Sequence, residues 1–244
     1  MTNETDHQKS APILIQGALE SELDILLEAI CPVNSRTVGG FVFHEGYYQN
    51  RPVVLNRTKI GEINSAIATT LGIQTYRPRL ILNQGTAGAL TEWLNVGDIV
   101  IGTRVCYLSQ FSTDADRDAD AINPWKSDAY RTIDGDVTSY HADPALLDTL
   151  RALCKDVPQD VYFNVIGSGD VWTKDPLQIH HYHRVYGAIC EAMECTGAYL
   201  TANSLGTPIL SVRAISNNEL KHQPYDSASG ALAQRFVLEQ LEKL

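Results

Sequence analysis

At 244 residues and 44% hydrophobic composition, the chain can bury one full core, and a single α/β domain of this size is ordinary. Its formal net charge of -10 leaves no basic patch for a phosphate backbone, which excludes nucleic acid as a partner class. Five cysteines, Cys31, Cys106, Cys154, Cys190 and Cys195, form an odd set without CxxC spacing, so they predict reduced packing thiols rather than a disulfide framework or a zinc site.

Met1 to Ser10 is polar and acidic and is expected to be a disordered tail ahead of one domain over residues 11–244. The apolar stretch after it, Pro12 to Ile15, is too short for a signal peptide or a membrane span; no membrane contact and a cytoplasmic location are expected. Continuous runs rich in Ile, Val and Leu then recur at Ile13 to Ile15, Val53 to Leu55, Leu80 to Leu82, Ile99 to Ile101, Val161 to Ile166 and Pro208 to Val212. Such runs predict strands buried on both faces. Helical spacing appears between them at Leu19, Leu23, Leu26, Leu27 and Ile30, at Ile63, Ile67 and Leu71, at Leu146, Leu147, Leu150 and Leu153, and last at Phe236, Leu238, Leu241 and Leu244. The alternation predicts a three-layer α/β/α sandwich around a central mixed sheet. Ser109 to His141 breaks the pattern: it is rich in Asp, Ser, Thr and Tyr, holds Trp125, and reads as a long functional excursion.

Open α/β sheets bind ligands at the carboxyl ends of their strands, so the residues after each strand carry the functional reading. After the first strand, Gly17-Ala18-Leu19-Glu20-Ser21-Glu22 predicts a small-residue turn into a helix with two carboxylates in its first turn, where they suit either the helix dipole or a ligand. Asn83-Gln84-Gly85-Thr86-Ala87-Gly88 reads as a turn whose small residues let backbone amides approach an oxygen-rich ligand. Gly167-Ser168-Gly169-Asp170-Val171-Trp172 offers an aromatic face beside flexible backbone, fit either for packing or for stacking a planar base. Glu191-Ala192-Met193-Glu194 lies between a strand and a helical segment, where a Glu suits a sugar diol or a solvated helix start. Val212-Arg213-Ala214-Ile215-Ser216-Asn217-Asn218-Glu219 puts an Arg at the end of an apolar strand, and a buried Arg normally needs a carboxylate partner.

Taken in order, these five motifs resemble the nucleoside phosphorylase and nucleosidase superfamily, and specifically the 5'-methylthioadenosine/S-adenosylhomocysteine nucleosidases, from Ile13 to the C-terminal helix. The resemblance implies a nucleoside phosphorylase-like fold, a purine nucleoside as the small-molecule substrate, no cofactor or metal, and a homodimer. It implies that Glu22 positions or activates the attacking water, that Met193-Glu194 holds the ribose with Glu194 on the 2' and 3' hydroxyls, and that Arg213 orients carboxylates. Trp172 would stack on the purine, the backbone of Thr173 would meet the base edge, and Thr86 would lie near the ribose and water. Gly88, Val171, Ala192 and Ser216 complete the expected binding set. A phosphorylase would show arginines near the Glu22 turn, so Glu22 points to hydrolysis.

One position departs from this pattern. The family's nucleosidases carry an Asp after the Arg-Ala-Ile-Ser run, which donates a proton toward N7 of the leaving adenine; this chain has Asn217. An amide is no general acid, and such acids contribute roughly 10²–10⁴ in rate. Three readings follow: a nucleosidase for methylthioadenosine or adenosylhomocysteine, which the overall resemblance implies; a hydrolase of 6-oxopurine nucleosides such as inosine or futalosine, which Asn217 favours; and a purine-binding protein on a retired scaffold. His180, His181 and His183 fall within four successive residues, His180-His181-Tyr182-His183, without accompanying ligands, and read as surface or core-capping residues rather than a metal site.

Overall fold

The computed structural model describes residues 11–113, 130–132 and 137–243; the expected tail and Trp125 lie outside the described residues. Its centre is β1 (Ile13–Gly17), buried at all five positions and paired in parallel with β4 (Arg51–Arg57) on one side and β5 (Leu80–Ala89) on the other. A strand flanked on both sides and covered on both faces must be apolar throughout, which is why Ile13 to Ile15 reads as an unbroken run. The edge beyond β4 is a meander, β3 (Phe41–Tyr48) and then β2 (Asn34–Val38). The last strand is mostly exposed and carries Asn, Ser, Arg and Thr, which blunts the free edge.

On the other side the sheet closes on itself. β5 pairs in parallel with β12 (Ile209–Asn217), β12 antiparallel with β6 (Ile99–Tyr107), and β6 in parallel with β10 (Val161–Ser168). Next to β10 lies the short β11 (Cys190–Ala192), which hydrogen bonds in parallel to β10 and antiparallel to the far end of β5. Five strands thus form a ring. β9 (Ser139–His141) adds to β6, and β7 (Phe111–Thr113) pairs with β8 (Tyr130–Thr132) as a separate two-stranded piece, so the described parts of the long excursion contain strands.

Helices cover both faces. α1 (Asp24–Ile30) packs with α6 (Ser229–Leu241) on one, and α2 (Glu62–Tyr76) with α5 (Cys195–Ser204) on the other. The α2–α5 crossing is tight because α5 presents Gly197, where a Cβ would lie 2.1 Å from the Glu62 carbonyl oxygen. α3 (Pro144–Leu153) and α4 (Pro176–Tyr186) both start with Pro behind an Asp cap, Asp143 accepting from the Leu146 amide and Asp175 from the Leu177 amide. Gly187 at φ 69 ends α4. Among the described residues no helix is long and apolar enough to cross a membrane.

Three local expectations change. The Leu19 to Ile30 helix is split: Glu20–Glu22 is a 3-10 turn, and α1 begins only at Asp24. The Asn83 to Gly88 stretch is no turn but the continuation of β5, because β12 and β11 supply hydrogen-bonding partners as far as Ala89. The apolar spacing at Ile63 and Ile67 does not mark the core face of α2: these residues are 73% and 45% exposed, and the buried face is Glu62, Ser65, Ala68, Thr69, Gly72 and Ile73. Small residues win that face because α5 and β1 approach it too closely for larger ones; a Cβ on Gly72 would sit 2.6 Å from Leu14 Cδ2.

Candidate active site

At the carboxyl ends of β1, β5, β11 and β12 lies a cavity of about 290 Å³. Twelve residues expected around the substrate or reaction centre can be placed against it directly. Glu22, Thr86, Gly88, Val171, Trp172, Ala192, Met193, Glu194, Ser216 and Asn217 all line it, while Thr173 does not; nor does Arg213, which lies behind it.

One end of the cavity is built around two buried carboxylates. Glu22 Oε2 accepts from the backbone N–H of Ala18 at 2.9 Å and of Leu19 at 3.2 Å, and Oε1 accepts from the Thr86 N–H at 2.8 Å and the Thr86 hydroxyl at 3.0 Å. Four donors fill the four acceptor positions of a carboxylate, and of these only the Thr86 hydroxyl can swing away without moving backbone. The 3-10 turn exists to aim Glu22 back at its own preceding amides. Gly85 makes room on β5, since a Cβ there would lie 2.7 Å from Glu22 Oε1 and 2.8 Å from Arg213 Nη1.

Glu194, immediately before α5, is held more loosely. Its carboxylate accepts only two long bonds, from Gly61 N–H and from Met193 N–H, both at 3.3 Å. Burial pushes its pKa up, opposed by the Arg213 charge. A buried carboxylate with spare acceptor capacity is suited to a pair of hydroxyl donors. Its place in the fold is set from behind by Glu62 and Ser168. The Glu62 carboxylate accepts from the Ser168 hydroxyl and, at 2.5 Å, from the Gly197 N–H, while Ser168 Oγ accepts from the Cys195 and Thr196 amides at 2.9 and 3.3 Å. This caps the first turn of α5, whose start positions Glu194.

Arg213 is fully enclosed, and here the expected carboxylate pairing is corrected. Its guanidinium bonds to Cys195 Sγ, from Nε at 3.3 Å and Nη2 at 2.9 Å, and to Asn83 Oδ1. Burial alone would lower its pKa, but Cys195, Glu194 and Glu22 nearby outweigh this and move it upward, so the cation serves both carboxylates through space. The thiol wins the direct contact because Cys195 opens α5 against β12, whereas Glu194 turns toward the cavity.

The other end is polar and aromatic. Trp172 is 49% exposed at the mouth, its ring 5.7 Å from that of Tyr225 and under the Lys174 ammonium at 5.1 Å. Asn217 and Ser216 end β12, where the Ser216 hydroxyl lies 3.0 Å from Asn217 Oδ1. Asn217 Nδ2 points toward Glu219 Oε1 at 3.4 Å. Thr173 departs from expectation: it is buried, and its backbone N–H and hydroxyl both donate to Glu191, at 2.6 and 2.7 Å. Of the Thr173 backbone expected at the base edge, the N–H is therefore already engaged by a neighbouring carboxylate.

Glu191 and Tyr225 line the cavity without having been assigned a role from sequence. Glu191 did carry a signal, a carboxylate inside the apolar run Ile189-Cys190-Glu191-Ala192, all of it buried. Tyr225 follows Pro224 in an aperiodic loop that gives no such clue. The α4 histidines lie elsewhere: His181 is buried, His183 Nδ1 is 2.9 Å from the Ala188 carbonyl oxygen, and no group of three or more His, Cys, Asp or Glu among the described residues is arranged to hold a metal ion. All five cysteines are free.

Known proteins resemble this chain along most of its length. The profile of the Phosphorylase superfamily matches residues 12–240. The 5'-methylthioadenosine/S-adenosylhomocysteine nucleosidase of Staphylococcus carnosus (strain TM300) is 31% identical over 240 residues, 94% of this chain and 99% of the relative. The protein of the same name from Exiguobacterium sp. is 28% identical over 209 residues, 84% of each chain. Among solved structures, the chain is similar to the Neisseria meningitidis 5'-methylthioadenosine/S-adenosylhomocysteine nucleosidase in complex with methylthio-immucillin-A, at 25% identity and a TM-score of 0.77, covering 96% of this chain and 100% of that one. It shares its fold with futalosine hydrolase of Helicobacter pylori strain 26695, at 21% identity and a TM-score of 0.79, covering 96% and 99%. With a profile match across nearly its whole length and a relative at 31% identity over 94% of it, this chain belongs to the phosphorylase superfamily, in its 5'-methylthioadenosine/S-adenosylhomocysteine nucleosidase family.

Proposed function

We propose that the chain hydrolyses the N-glycosidic bond of a purine nucleoside, with Glu22 and Glu194 at the sugar and Asn217, Ser216 and Trp172 at the base. The observation that carries this reading is one cavity with two buried carboxylates at one end and an amide with an aromatic ring at the other. Cleaving C1'–N9 builds positive charge on the sugar and negative charge on the base, and such a cavity stabilises both. The Thr86 hydroxyl turns from Glu22 to admit a water, Glu22 takes the water's proton as it attacks C1', and Glu194 accepts from the ribose diol. At the leaving base, Asn217 Nδ2 donates to the atoms that gain charge. Phosphate would meet Glu22 and Glu194, and none of the described residues lining the cavity is a Lys or Arg. Arg57, beside the Glu22 turn, is paired with Glu20.

Methylthioadenosine and adenosylhomocysteine, the nucleosides in the relatives' names, are the first substrates to try. A 6-oxopurine nucleoside is the second reading, favoured by Asn217 in place of an acid. Release of free base from a nucleoside panel, at a rate independent of added phosphate, tests the activity. Purine binding without turnover at enzyme concentrations near those of substrate would instead support a retired scaffold. The functional unit is a homodimer, a reading supported by the outward apolar side chains of two packed helices, Ile63 and Ile67 on α2 and Leu200 on α5, with Leu205 just beyond it. The compartment is the cytoplasm, as expected for a chain whose described helices include none fit to span a bilayer.

A further inference from the structure

The site leaves one buried carboxylate without a task. Glu191 sits on β11 opposite Gly88 of β5, and the same Gly88 lies opposite Asn217 of β12 on its other side. Three neighbouring strands thus present Glu191, no side chain, and Asn217 in a row. Adjacent strands are about 4.8 Å apart, so the outer two backbones stand roughly 10 Å from each other, wide enough for a planar base between their side chains. Gly88 keeps that slot open: a Cβ there would lie 3.3 Å from Asn217 Nδ2.

The two walls differ in hydrogen-bonding character. Both Glu191 oxygens already accept from Thr173, one from its N–H and one from its hydroxyl, which fixes the carboxylate and leaves each oxygen a second acceptor position. Asn217 Nδ2 points toward the Glu219 carboxylate at 3.4 Å, where only the nitrogen side of the amide fits, and is the amide atom nearest Gly88; Oδ1 lies 3.0 Å from a Ser216 hydroxyl that is also 3.2 Å from the Ala87 carbonyl oxygen, so the slot meets the second Nδ2 hydrogen as a donor. The row therefore presents an acceptor on one side and a donor on the other. A 6-oxopurine carries the matching pair on its six-membered ring, the N1–H donor and the O6 acceptor. A 6-aminopurine carries the inverse, an N1 lone pair and an N6 donor, and opposes both walls. Burial favours the neutral form of Glu191, with a pKa near 7, while the Thr173 bonds favour the anion that accepts N1–H.

We propose that Glu191 reads N1–H of the base and, with Asn217 across Gly88, makes the site selective for 6-oxopurine nucleosides. The assignment rests on the nucleosidase reading above for the identity of the ligand, in its second, 6-oxopurine form, and concerns only the base. It is tested with inosine against adenosine, and hypoxanthine against adenine, pairs that differ only at N1 and C6. Mismatched buried hydrogen bonds separate such pairs by ten- to hundredfold. Wild-type protein is expected to release hypoxanthine at least tenfold faster than adenine and, by calorimetry, to bind hypoxanthine at least tenfold more tightly. Glu191→Gln, whose amide can turn a donor to N1, is expected to bring both ratios close to one or invert them. Release of no base from any nucleoside would sink the nucleosidase reading, yet the calorimetric ratio of the two free bases in the wild type still decides this one and needs no variant. Equal or tighter binding of adenine by the wild type would overturn it, as would a Glu191→Gln protein that loses both bases in equal measure.

Discussion

Thr86 donates twice to one oxygen of Glu22, from its backbone N–H at 2.8 Å and its hydroxyl at 3.0 Å. The first bond comes from a strand locked between two others; the second can be given up to a water. The pair therefore forms a fixed carboxylate with one exchangeable donor, the arrangement needed to hold a water and then accept its proton.

Glu22→Gln removes the proton acceptor while leaving the base end untouched. Hydrolysis is expected to fall by about 10²–10⁴, the range for loss of a general base. Hypoxanthine or adenine binding should stay within a fewfold of wild type by calorimetry. Turnover that survives the substitution would take Glu22 out of the reaction.

Glu194→Ala acts on the sugar instead. A hydrogen bond to a charged group contributes about 1.5–3 kcal/mol, so nucleoside affinity and kcat/KM should drop together by roughly ten- to hundredfold. Free base has no ribose and should bind as before. Equal loss for base and nucleoside would contradict the assignment.

Glu62 gives a pH dependence whose sign is determined by burial, which pushes its pKa from 4.5 to about 7 in the fold against the Ser168 and Gly197 hydrogen bonds. A folded-state pKa above the unfolded one means that its contribution to stability is complete below pH 4.5 and is lost as the pH rises to 7. Glu62→Gln cannot ionise. Its stability relative to wild type should therefore rise between pH 4.5 and 8, by up to about 3 kcal/mol. Urea unfolding at both pH values measures this, and a difference that does not change with pH would show that burial does not raise the Glu62 pKa.

Ile63 and Ile67 stand one turn apart on the outer face of α2. Ile63→Asp should convert a dimer to monomer in sedimentation velocity at micromolar concentration, without a loss of monomer stability, because the side chain is exposed within one chain. A wild-type protein that sediments only as monomer would remove the homodimer from the functional reading.

How far the sequence goes can be seen residue by residue. Ile13 to Ile15, Val53 to Leu55 and Leu80 to Leu82 announce β1, β4 and β5, because a strand buried on both faces must be apolar at every position and this shows within three or four residues. Glu22, Glu194, Trp172 and Asn217 were legible as motifs, and the structure brings all four around one cavity. The core face of α2 was not legible: its apolar period belongs to the outer side, and only the nearness of α5 and β1 explains why Ser, Ala, Thr and Gly lie inside. Nor were the partners of Arg213 and Thr173, a thiol from the start of α5 and a carboxylate from β11. The row Glu191, Gly88, Asn217 sets Gly88 between two residues each more than a hundred positions away from it, and its order depends on β11 pairing with both β10 and β5. Periodicity and capping are properties of a few successive residues, whereas strand register is settled by what packs across the sheet; the order of Glu191, Gly88 and Asn217 along the cavity was therefore decided by the tertiary structure alone.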